Sequence, residues 1–371
     1  MDPSATRVVG RSGVAVTQLG LGGASYAELF HRVPEQEAFG AIQAAWAGGV
    51  RYFDTAPWYG RGLSELRTGA GLRDHPRDEY VLSTKIGRWL RPRQEPDFDR
   101  TPWLGGLPME VVFDYTYDGI MRAYEQSQLR LGLVRYDLAV IHDLDHMYHG
   151  TGVRFEGLLA QLATSGWRAI SQLRDSGLIQ GIGAGINELD LIPRFLDIAP
   201  LDFFLVAMPY TLLNQDVLDA EFPACAEQGV GFVIGAPYQS GILATGPRPG
   251  ANSDYAPADP AVSERVGRIQ AVCERHGVPL AAAALQFPLG HPSVASVIPG
   301  ARNAAQVERN LEVFRMSVPG AMWDELKHEG LLRADAQGAR RQTSRWTARR
   351  PSSRNGSVES SRRAPSSRSR T

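Results

Sequence analysis

Lysine is nearly missing from this chain of 371 residues, although basic residues are common. Only Lys85 and Lys327 are lysines among the 39 basic residues, and the others are arginines. A mutational bias towards arginine codons is one explanation. A lysine that persists in such a chain is also a candidate functional group, because its ammonium is a compact point charge whose pKa shifts readily on burial.

Cysteine and long apolar segments are also scarce. Cys225 and Cys273 are too few for a disulfide framework and suit a reducing cytosol. No run of about 18 apolar residues occurs, so we expect no membrane span. Residues 1–10 contain no apolar stretch of the kind that a secretory signal needs. We therefore expect a cytoplasmic protein, either a monomer or a small homo-oligomer.

The formal net charge of −1 hides an uneven distribution. Residues 340–371 hold ten arginines and one acidic residue, Glu359, so the first 339 residues carry a charge of about −10. A body this acidic argues against nucleic-acid binding. The Arg- and Ser-rich segment contains few apolar residues, which predicts disorder. We therefore divide the chain into a folded domain, residues 1–332, and a disordered tail, residues 333–371.

Strand-like and helix-like patterns alternate along the folded part. Residues 7–17 predict a β-hairpin around Ser12-Gly13. Eight strand patterns then alternate with helical patterns, at residues 18–22, 51–54, 80–85, 136–142, 178–183, 203–207, 230–234 and 294–298. Alternation implies a parallel sheet, and eight units in about 300 residues predict a single α/β domain, a (β/α)8 TIM barrel. Residues 87–113 and 238–259 interrupt the alternation and are predicted to be long functional loops.

A doubly wound open sheet is the main alternative fold. That fold normally carries a Gly-rich turn with three spaced small residues after its first strand. The candidates at residues 20–22 and 181–183 lack the third Gly or Ala. The barrel is therefore the better prediction.

Four polar side chains lie at or near the ends of predicted neighbouring strands. Asp54, Lys85 and His142 each end a strand, and Tyr59 follows five residues after Asp54. The carboxyl ends of barrel strands share one face, so these groups should converge. A cation lowers the pKa of a nearby phenol from about 10, so Lys85, held charged by Asp54, would bring Tyr59 towards proton exchange near neutrality. His142 would orient a substrate oxygen, and a cofactor must supply the hydride.

Other interpretations of these residues remain open. Each of the four, taken alone, has an ordinary structural explanation, such as a cap or a buried core histidine. The cluster His142, Asp143, Asp145, His146 and His149 could instead bind zinc in a metal hydrolase. That segment leaves a strand, however, and no other histidine ends a predicted strand, so we predict no metal.

Several motifs resemble the active-site signatures of the aldo-keto reductases. They are FDTAPWYG at residues 53–60, STK at 83–85 and IHD at 141–143. Within the family, HDLD at 142–145, YTLL at 210–213 and SGILATG at 240–246 resemble bacterial L-fucose or D-threo-aldose 1-dehydrogenases and pyridoxal 4-dehydrogenases. The resemblance implies a barrel in which Tyr59 exchanges the proton, and it implies NAD or NADP as cofactor and a small sugar or aldehyde as substrate.

The resemblance also implies binding roles. Trp58 and Trp89 would wall the substrate pocket. The implied cofactor contacts are Gly22, Gly23 and Ala24 at the nicotinamide, Asn187 at the carboxamide, Tyr238, Gln239, Ser240, Gly241 and Leu243 over the pyrophosphate, and Arg302, Gln306 and Asn310 at the adenosine.

Three departures from the family pattern qualify these roles. Gly300 and Gln306 stand where NADP-selective members often carry Lys and Arg, so we expect NAD to be preferred, although Arg302 could still meet a 2′-phosphate. Met208-Pro209 and Gly235 replace a common Gln and a stacking aromatic residue. The expected reaction is oxidation of an aldose at C1 to the lactone. The alternatives are a pyridoxal 4-dehydrogenase, a broad aldehyde or ketone reductase, and a non-catalytic cofactor-binding regulatory subunit.

Overall fold

A computed structural model describes residues 1–95 and 98–339 of the chain. The strands, in chain order, are β1 (Thr6–Val8), β2 (Ala15–Thr17), β3 (Leu21–Gly22), β4 (Tyr52–Asp54), β5 (Val81–Ile86), β6 (Arg88–Pro92), β7 (Met109–Phe113), β8 (Leu138–His142), β9 (Gly181–Ile186), β10 (Phe203–Ala207), β11 (Gly231–Gly235), β12 (Asn252–Ser253), β13 (Ala256–Pro257) and β14 (Val294–Ile298). All eight predicted barrel strands are present, with ends displaced by three residues at most.

Eight of these strands form one parallel sheet in the order β14-β11-β10-β9-β8-β5-β4-β3. The first and last strands also meet, through parallel bridges between Leu19 and Val297 and between Gly22 and Gly300. The Gly20 N–H donates to the Val297 carbonyl at 2.9 Å, and the Val297 N–H donates to the Gln18 carbonyl at the same distance. These contacts close the sheet, which confirms the predicted (β/α)8 barrel.

Helices follow the barrel strands and cover the outside of the sheet. They are α1 (Glu35–Ala47), α2 (Leu63–Leu72), α3 (Tyr117–Leu131), α4 (His146–His149), α5 (Val153–Gln161), α6 (Trp167–Asp175), α7 (Ile192–Ile198), α8 (Glu221–Glu227), α9 (Ile242–Thr245), α10 (Pro260–Arg275), α11 (Leu280–Gln286), α12 (Ala304–Arg315) and α13 (Gly320–His328). Among the described residues, none of these helices has both the length and the apolar character that a bilayer span requires.

The N-terminal hairpin covers the amino-terminal end of the barrel. β1 and β2 pair antiparallel, as predicted, with Arg7 opposite Val16. Val9 and Val16 are fully buried in the apolar cluster that fills the barrel interior, together with Tyr52 and Val140. Arg7 reaches across to the carbonyl oxygens of Leu289 and Val294. With this end covered, the carboxyl ends of the strands remain as the accessible face.

One prediction about an irregular segment was wrong. Residues 87–113 are not one long loop, because β6 and β7 pair antiparallel as a hairpin beside the barrel mouth. Further along the chain, residues 153–175 are helical without a break, and a π-helical turn, Leu162–Gly166, joins α5 to α6. At this turn the chain passes so close to Tyr115 that a Cβ at Gly166 would lie 2.1 Å from the Tyr115 carbonyl oxygen. Only glycine tolerates that approach.

The packed domain extends beyond the predicted boundary at residue 332. Ala336 is fully buried, and the indole N–H of Trp323 donates to the Ala339 carbonyl at 3.1 Å. Arg333 pairs with Asp219 at 2.7 Å. Residues 333–339 therefore belong to the folded domain. The remaining part of the predicted disordered tail, residues 340–371, lies outside the described residues.

Candidate active site

The three strand-end residues lie on three adjacent strands of the barrel. Asp54 is the last residue of β4 and pairs in register with Ser83 of β5. Lys85 of β5 pairs with Val140 of β8, the strand that ends at His142. Parallel strands present their carboxyl ends on one face, so the fold brings these side chains together as predicted.

Lys85 and Asp54 form an ion pair within the barrel mouth. The Lys85 Nζ lies 2.5 Å from Asp54 Oδ1 and donates to the Thr55 carbonyl at 2.9 Å. The Ser83 hydroxyl also donates to Asp54 Oδ1 at 2.5 Å. Both charged side chains are almost fully buried, at 1% and 2% exposure. A buried charge needs such partners, and here each charge compensates the other.

Tyr59 begins a tight turn, Tyr59–Gly62, that follows β4. Gly60 has φ 61°, and a Cβ there would lie 2.8 Å from the Ala27 carbonyl, so glycine is required beside the tyrosine. The turn places the Tyr59 ring 5.8 Å from the His142 ring, centroid to centroid, and 5.6 Å from Lys85 Nζ. All four predicted catalytic residues are thus within one cluster.

The electrostatics at Tyr59 differ from the expectation. Burial raises the pKa of the Tyr59 phenol well above 10, and the charges of Asp54 and Asp143 raise it further. We expected Lys85 to lower this pKa. The physical reason for the difference is burial, the largest cause of the shift, and Asp54, paired with Lys85 at 2.5 Å, offsets part of the field of the ammonium at the phenol. At neutral pH the Tyr59 side chain is therefore an uncharged phenol.

His142 is neutral and has a free ring nitrogen. Burial lowers the pKa of its imidazole well below 6.5, and the nearby cations Arg88 and Lys85 lower it further. Among the described residues its buried Nδ1 has no hydrogen-bond partner. The backbone is fixed, because the Tyr115 hydroxyl donates to the His142 carbonyl at 2.7 Å. A neutral, fixed imidazole is suited to hydrogen-bond a substrate oxygen.

A cavity of about 240 Å³ opens beside Tyr59 and His142. Its apolar wall includes Trp58, as predicted, and Trp103, which the sequence analysis did not select. Trp103 stacks edge-on against Trp58, with ring centroids 5.6 Å apart. The lining also includes Ala24, Leu29, Phe30, Asp143, Met147, Tyr148, Asn187 and Tyr255.

Trp89 does not line this cavity, which corrects the prediction for that residue. On β6 the side chains alternate, so Arg88 and Leu90 are buried whereas Trp89 turns to the other face. There its ring packs against the guanidinium of Arg122 on α3, at 4.5 Å. Trp103 takes the position expected of Trp89. The only sequence indication was its place in the long Pro- and Trp-containing segment.

The predicted nicotinamide-end residues lie at the barrel mouth. Ala24 and Asn187 line the cavity. Gly23 is packed so closely that a Cβ would lie 2.4 Å from the Ser64 hydroxyl oxygen, and a Cβ on Gly22 would lie 3.0 Å from the Ile298 carbonyl. The Asn187 amide donates to Asp145 Oδ2 at 2.9 Å, which orients the side chain. Its carbonyl oxygen is then available to accept a hydrogen bond.

A second cavity of about 310 Å³ continues from the first. The two share Met147, Asn187, Ala207 and Tyr255, and the second also contacts Gln239. The mouth of the barrel thus contains an elongated groove rather than a single compact pocket. An elongated groove fits an extended ligand such as a dinucleotide.

The loop after β11 has a left-handed backbone. Gln239, Ser240 and Gly241 are all left-handed, with φ 49°, 55° and 111°, and a Cβ on Gly241 would meet no atom within 4 Å. The N–H groups of Gln239 and Gly241 already donate to the carbonyl oxygens of Ala236 and Tyr238, at 2.9 Å each, so this turn does not present a row of free N–H groups to a phosphate. Leu243 corrects the prediction, because its side chain is fully buried in the core and its N–H donates to the Tyr238 carbonyl.

The predicted adenosine residues lie at the start of α12. Asn303 caps this helix by accepting the Gln306 N–H at 3.1 Å. The Gln306 side chain accepts the Arg302 N–H at 2.8 Å, and Asn310 accepts the Tyr238 hydroxyl at 2.8 Å. Tyr238 therefore ties the loop after β11 to the first turns of α12. A helix N-terminus of this length favours negative groups.

The structure does not gather the residues of the zinc alternative. Within the described ranges, the one group of metal-ligating atoms within 4.8 Å of one another is His146, Glu188 and Asp190, which omits His142 and His149. His149 Nε2 lies instead 3.3 Å from the Tyr115 hydroxyl.

Comparison with known proteins identifies the family. The profile of the aldo/keto reductase family matches residues 18–328. The chain belongs to the aldo/keto reductase family. It is 40% identical to pyridoxal 4-dehydrogenase of Microbacterium luteolum, over 90% of this chain and 99% of that protein. It is 39% identical to D-threo-aldose 1-dehydrogenase of a Pseudomonas species, over 86% of this chain and 96% of that protein.

Solved structures share the fold. An aldo-keto reductase from Bacillus halodurans, in its holo form, superposes with a TM-score of 0.68 at 24% identity, covering 89% of this chain and 97% of that one. The glycerol dehydrogenase of Gluconobacter oxydans gives the same score at 21% identity, covering 92% and 100%. The chain is therefore an aldo-keto reductase oxidoreductase of a family that uses NAD(P)H and small-molecule substrates.

Proposed function

We propose that this aldo-keto reductase oxidises an aldose at its anomeric carbon to the lactone and uses NAD in preference to NADP. One observation carries the proposal: Tyr59 and His142 line a cavity of about 240 Å³ at the carboxyl ends of the strands, and Lys85 Nζ, paired with Asp54, lies 5.6 Å from the centroid of the Tyr59 ring. The 39% identity to a D-threo-aldose 1-dehydrogenase supports the choice of substrate class.

The four side chains divide the proton chemistry between them. Tyr59 exchanges the proton at the reacting oxygen, which His142 positions by a hydrogen bond from its neutral ring. Lys85 provides the positive charge that stabilises the phenolate when it forms, and Asp54 keeps Lys85 in place at 2.5 Å. When bound, the nicotinamide accepts or returns the hydride, chemistry that no side chain supplies.

The direction of reaction depends on the protonation of Tyr59. As a neutral phenol it donates a proton to a carbonyl, which is reduction. Oxidation of a hydroxyl requires the phenolate as proton acceptor, and burial opposes this form because it raises the pKa of Tyr59. Oxidation at neutral pH therefore depends on the small fraction of molecules in which Tyr59 is ionised.

Asn187 and the loop from Tyr238 to Gly241 would hold the nicotinamide carboxamide and the pyrophosphate. Gln306, whose side-chain oxygen is engaged by the Arg302 N–H, offers no cation for a 2′-phosphate. Gly300 offers none either. Arg302, half-buried at the start of α12, is the one predicted adenosine contact that carries a positive charge. These features support a preference for NAD over NADP.

Steady-state absorbance of the reduced nicotinamide tests the function. L-fucose, L-galactose, D-arabinose and pyridoxal are offered with each cofactor, and we expect the aldoses to be oxidised faster with NAD. Tyr59→Phe should remove turnover while cofactor binding, followed by fluorescence, is retained. Wild-type turnover in that variant would show that Tyr59 does not exchange the proton.

Pyridoxal oxidation is the second candidate, supported by the 40% identity to a pyridoxal 4-dehydrogenase. The aromatic wall of Trp58 and Trp103 would suit a flat ring. Faster turnover of pyridoxal than of every aldose in the same panel would favour this candidate.

A further inference from the structure

A carboxylate lies in the cavity beside the cluster described above. Asp143 follows His142 directly at the end of β8 and lines the same cavity. Its Oδ2 lies 3.5 Å from His142 Nε2, and the side chain is 11% exposed. None of the roles assigned above uses this group.

Asp143 is held by a buried cation. The Arg88 guanidinium, 1% exposed, donates from Nη2 to Asp143 Oδ2. The guanidinium carbon lies 4.4 Å from the Tyr148 ring and 4.5 Å from the Phe113 ring, so aromatic faces surround the charge. The Asn187 amide is a weaker neighbour, 3.4 Å from Asp143 Oδ1.

Stability alone does not explain this arrangement. Removing two charges from water is costly, and apolar residues often replace buried ion pairs without loss of stability. The backbone at Asp143 is also left-handed, with φ 45°, a conformation that costs free energy for a residue with a side chain. Strain and buried charge together at a cavity wall indicate a binding role.

The free acceptor capacity of the carboxylate defines the ligand. An ionised carboxylate has about four acceptor sites on its two oxygens, and Arg88 occupies one site on Oδ2. The cavity side of Asp143 therefore accepts hydrogen bonds and repels anions. A hydroxyl next to the reacting carbon would be within its reach, because Asp143 adjoins His142, which contacts the reacting oxygen in the proposed function.

We propose that Asp143 is a specificity-determining residue that accepts a hydrogen bond from a hydroxyl on the carbon adjacent to the reacting carbon. The inference rests on the proposed function for the position of the substrate. It names the substrate class as uncharged α-hydroxy aldehydes and aldoses. An aldose carries this group at C2, whereas the ring hydroxyl of pyridoxal is one carbon further from the reacting carbon. Phosphorylated sugars would be repelled.

Paired substrates that differ by one hydroxyl test the proposal. D-arabinose and 2-deoxy-D-ribose differ only at C2, and glycolaldehyde and acetaldehyde form a simpler pair for the reducing direction. In the wild-type protein we expect kcat/KM to favour the hydroxylated member of each pair by about tenfold or more, because a buried polar group rejects a ligand that leaves it unpaired. Equal kcat/KM values within both pairs would overturn the proposal.

Two variants separate binding from folding. Asp143→Asn should reduce the preference to about threefold or less, chiefly through KM for the hydroxylated member. Asp137→Asn is the matched control, since Asp137 is a buried carboxylate paired with Arg77 at 2.7 Å but precedes β8, at its amino-terminal end. The Asp137→Asn variant should keep the wild-type preference for the hydroxylated substrate.

The aldehyde pair keeps the two proposals distinguishable. If neither aldose is oxidised, the proposed function fails, and the ratio for glycolaldehyde over acetaldehyde still decides the role of Asp143. A preference that is unchanged in Asp143→Asn overturns the role of Asp143 whichever substrate is natural.

Discussion

The Lys85 ammonium and the Asp54 carboxylate lie 2.5 Å apart, and both are almost completely withdrawn from solvent. Their pairing has opposite consequences for folding and for chemistry. It makes a buried lysine tolerable at the mouth of the barrel, yet it also cancels much of the positive field that would otherwise ionise Tyr59.

Breaking this pair should destabilise the protein. Asp54→Asn leaves a buried ammonium without its carboxylate, and Lys85→Met leaves the carboxylate without its cation, so each should lower the free energy of unfolding by about 3 kcal/mol. The double variant should recover part of this loss but no activity. Urea unfolding followed by circular dichroism measures the effect, and single variants as stable as the wild type would contradict it.

Lys85→Arg tests whether the shape of the cation matters. The guanidinium is planar and spreads its charge, so it should not reproduce the single contact to Asp54 Oδ1 or the donation to the Thr55 carbonyl. We expect turnover to fall at least about a hundredfold, as for loss of a general acid–base group. Lys327→Arg, a substitution at a half-buried position on α13, is the control and should leave turnover unchanged.

The sequence predicted the barrel and the four-residue cluster because both can be inferred from where the strands end and which residues end them. Asp54, Lys85 and His142 end strands that are neighbours in a parallel barrel, so register alone brings them together. Trp89 and Trp103 lie in a segment whose pairing the sequence did not reveal. Once β6 and β7 form a hairpin, alternation decides that Arg88 points inward and Trp89 outward.

The pKa of Tyr59 could not be predicted from residue types. The sequence indicated a lysine near a phenol, which argues for a lower pKa. It did not indicate that the phenol is half-buried in the barrel mouth or that Asp143 adds a second negative charge nearby. Three-dimensional burial reversed the expected direction.

Oxidation and reduction should therefore respond differently to pH. Because the pKa of Tyr59 is raised well above 10, its phenolate fraction rises about tenfold per pH unit across the neutral range. Oxidation, which uses the phenolate, should accelerate with pH up to the alkaline limit of stability, whereas reduction, which uses the phenol, should stay nearly level. Profiles of kcat/KM in both directions measure this, and an oxidation rate that is already level at neutral pH would contradict it.

Cofactor choice should respond to a single cation at the start of α12. Gln306→Arg places a guanidinium at the first turn of the helix, near Arg302, where the helix dipole also favours a phosphate. We expect NADP affinity to rise about tenfold with little change for NAD. Fluorescence titration with both cofactors measures the ratio, and Glu308→Arg, two residues along on the exposed side, controls for added charge. An unchanged ratio of the NADP and NAD affinities would mean that the 2′ position of the adenosine ribose does not lie near residue 306.

The hydroxyl preference assigned to Asp143 should itself depend on pH. Burial raises the pKa of Asp143 to about 6, with Arg88 opposing this shift and Asp145 adding to it. The charged and titratable groups around it are Arg88, Lys85, Asp145, His142, Tyr59, Tyr115, Tyr148 and Tyr255. His142 stays neutral through this range because burial lowers its pKa well below 6.5.

The carboxylate is the stronger acceptor, and it exists above pH 6. The kcat/KM ratio for glycolaldehyde over acetaldehyde should consequently be high and level above about pH 7 and should fall as the pH drops through 6, where Asp143 takes up a proton. Asp143→Asn should show a low ratio at every pH, and Asp137→Asn should follow the wild type. A wild-type ratio that stays constant from pH 5 to 8 would mean that the charge of Asp143 takes no part in recognising the hydroxyl.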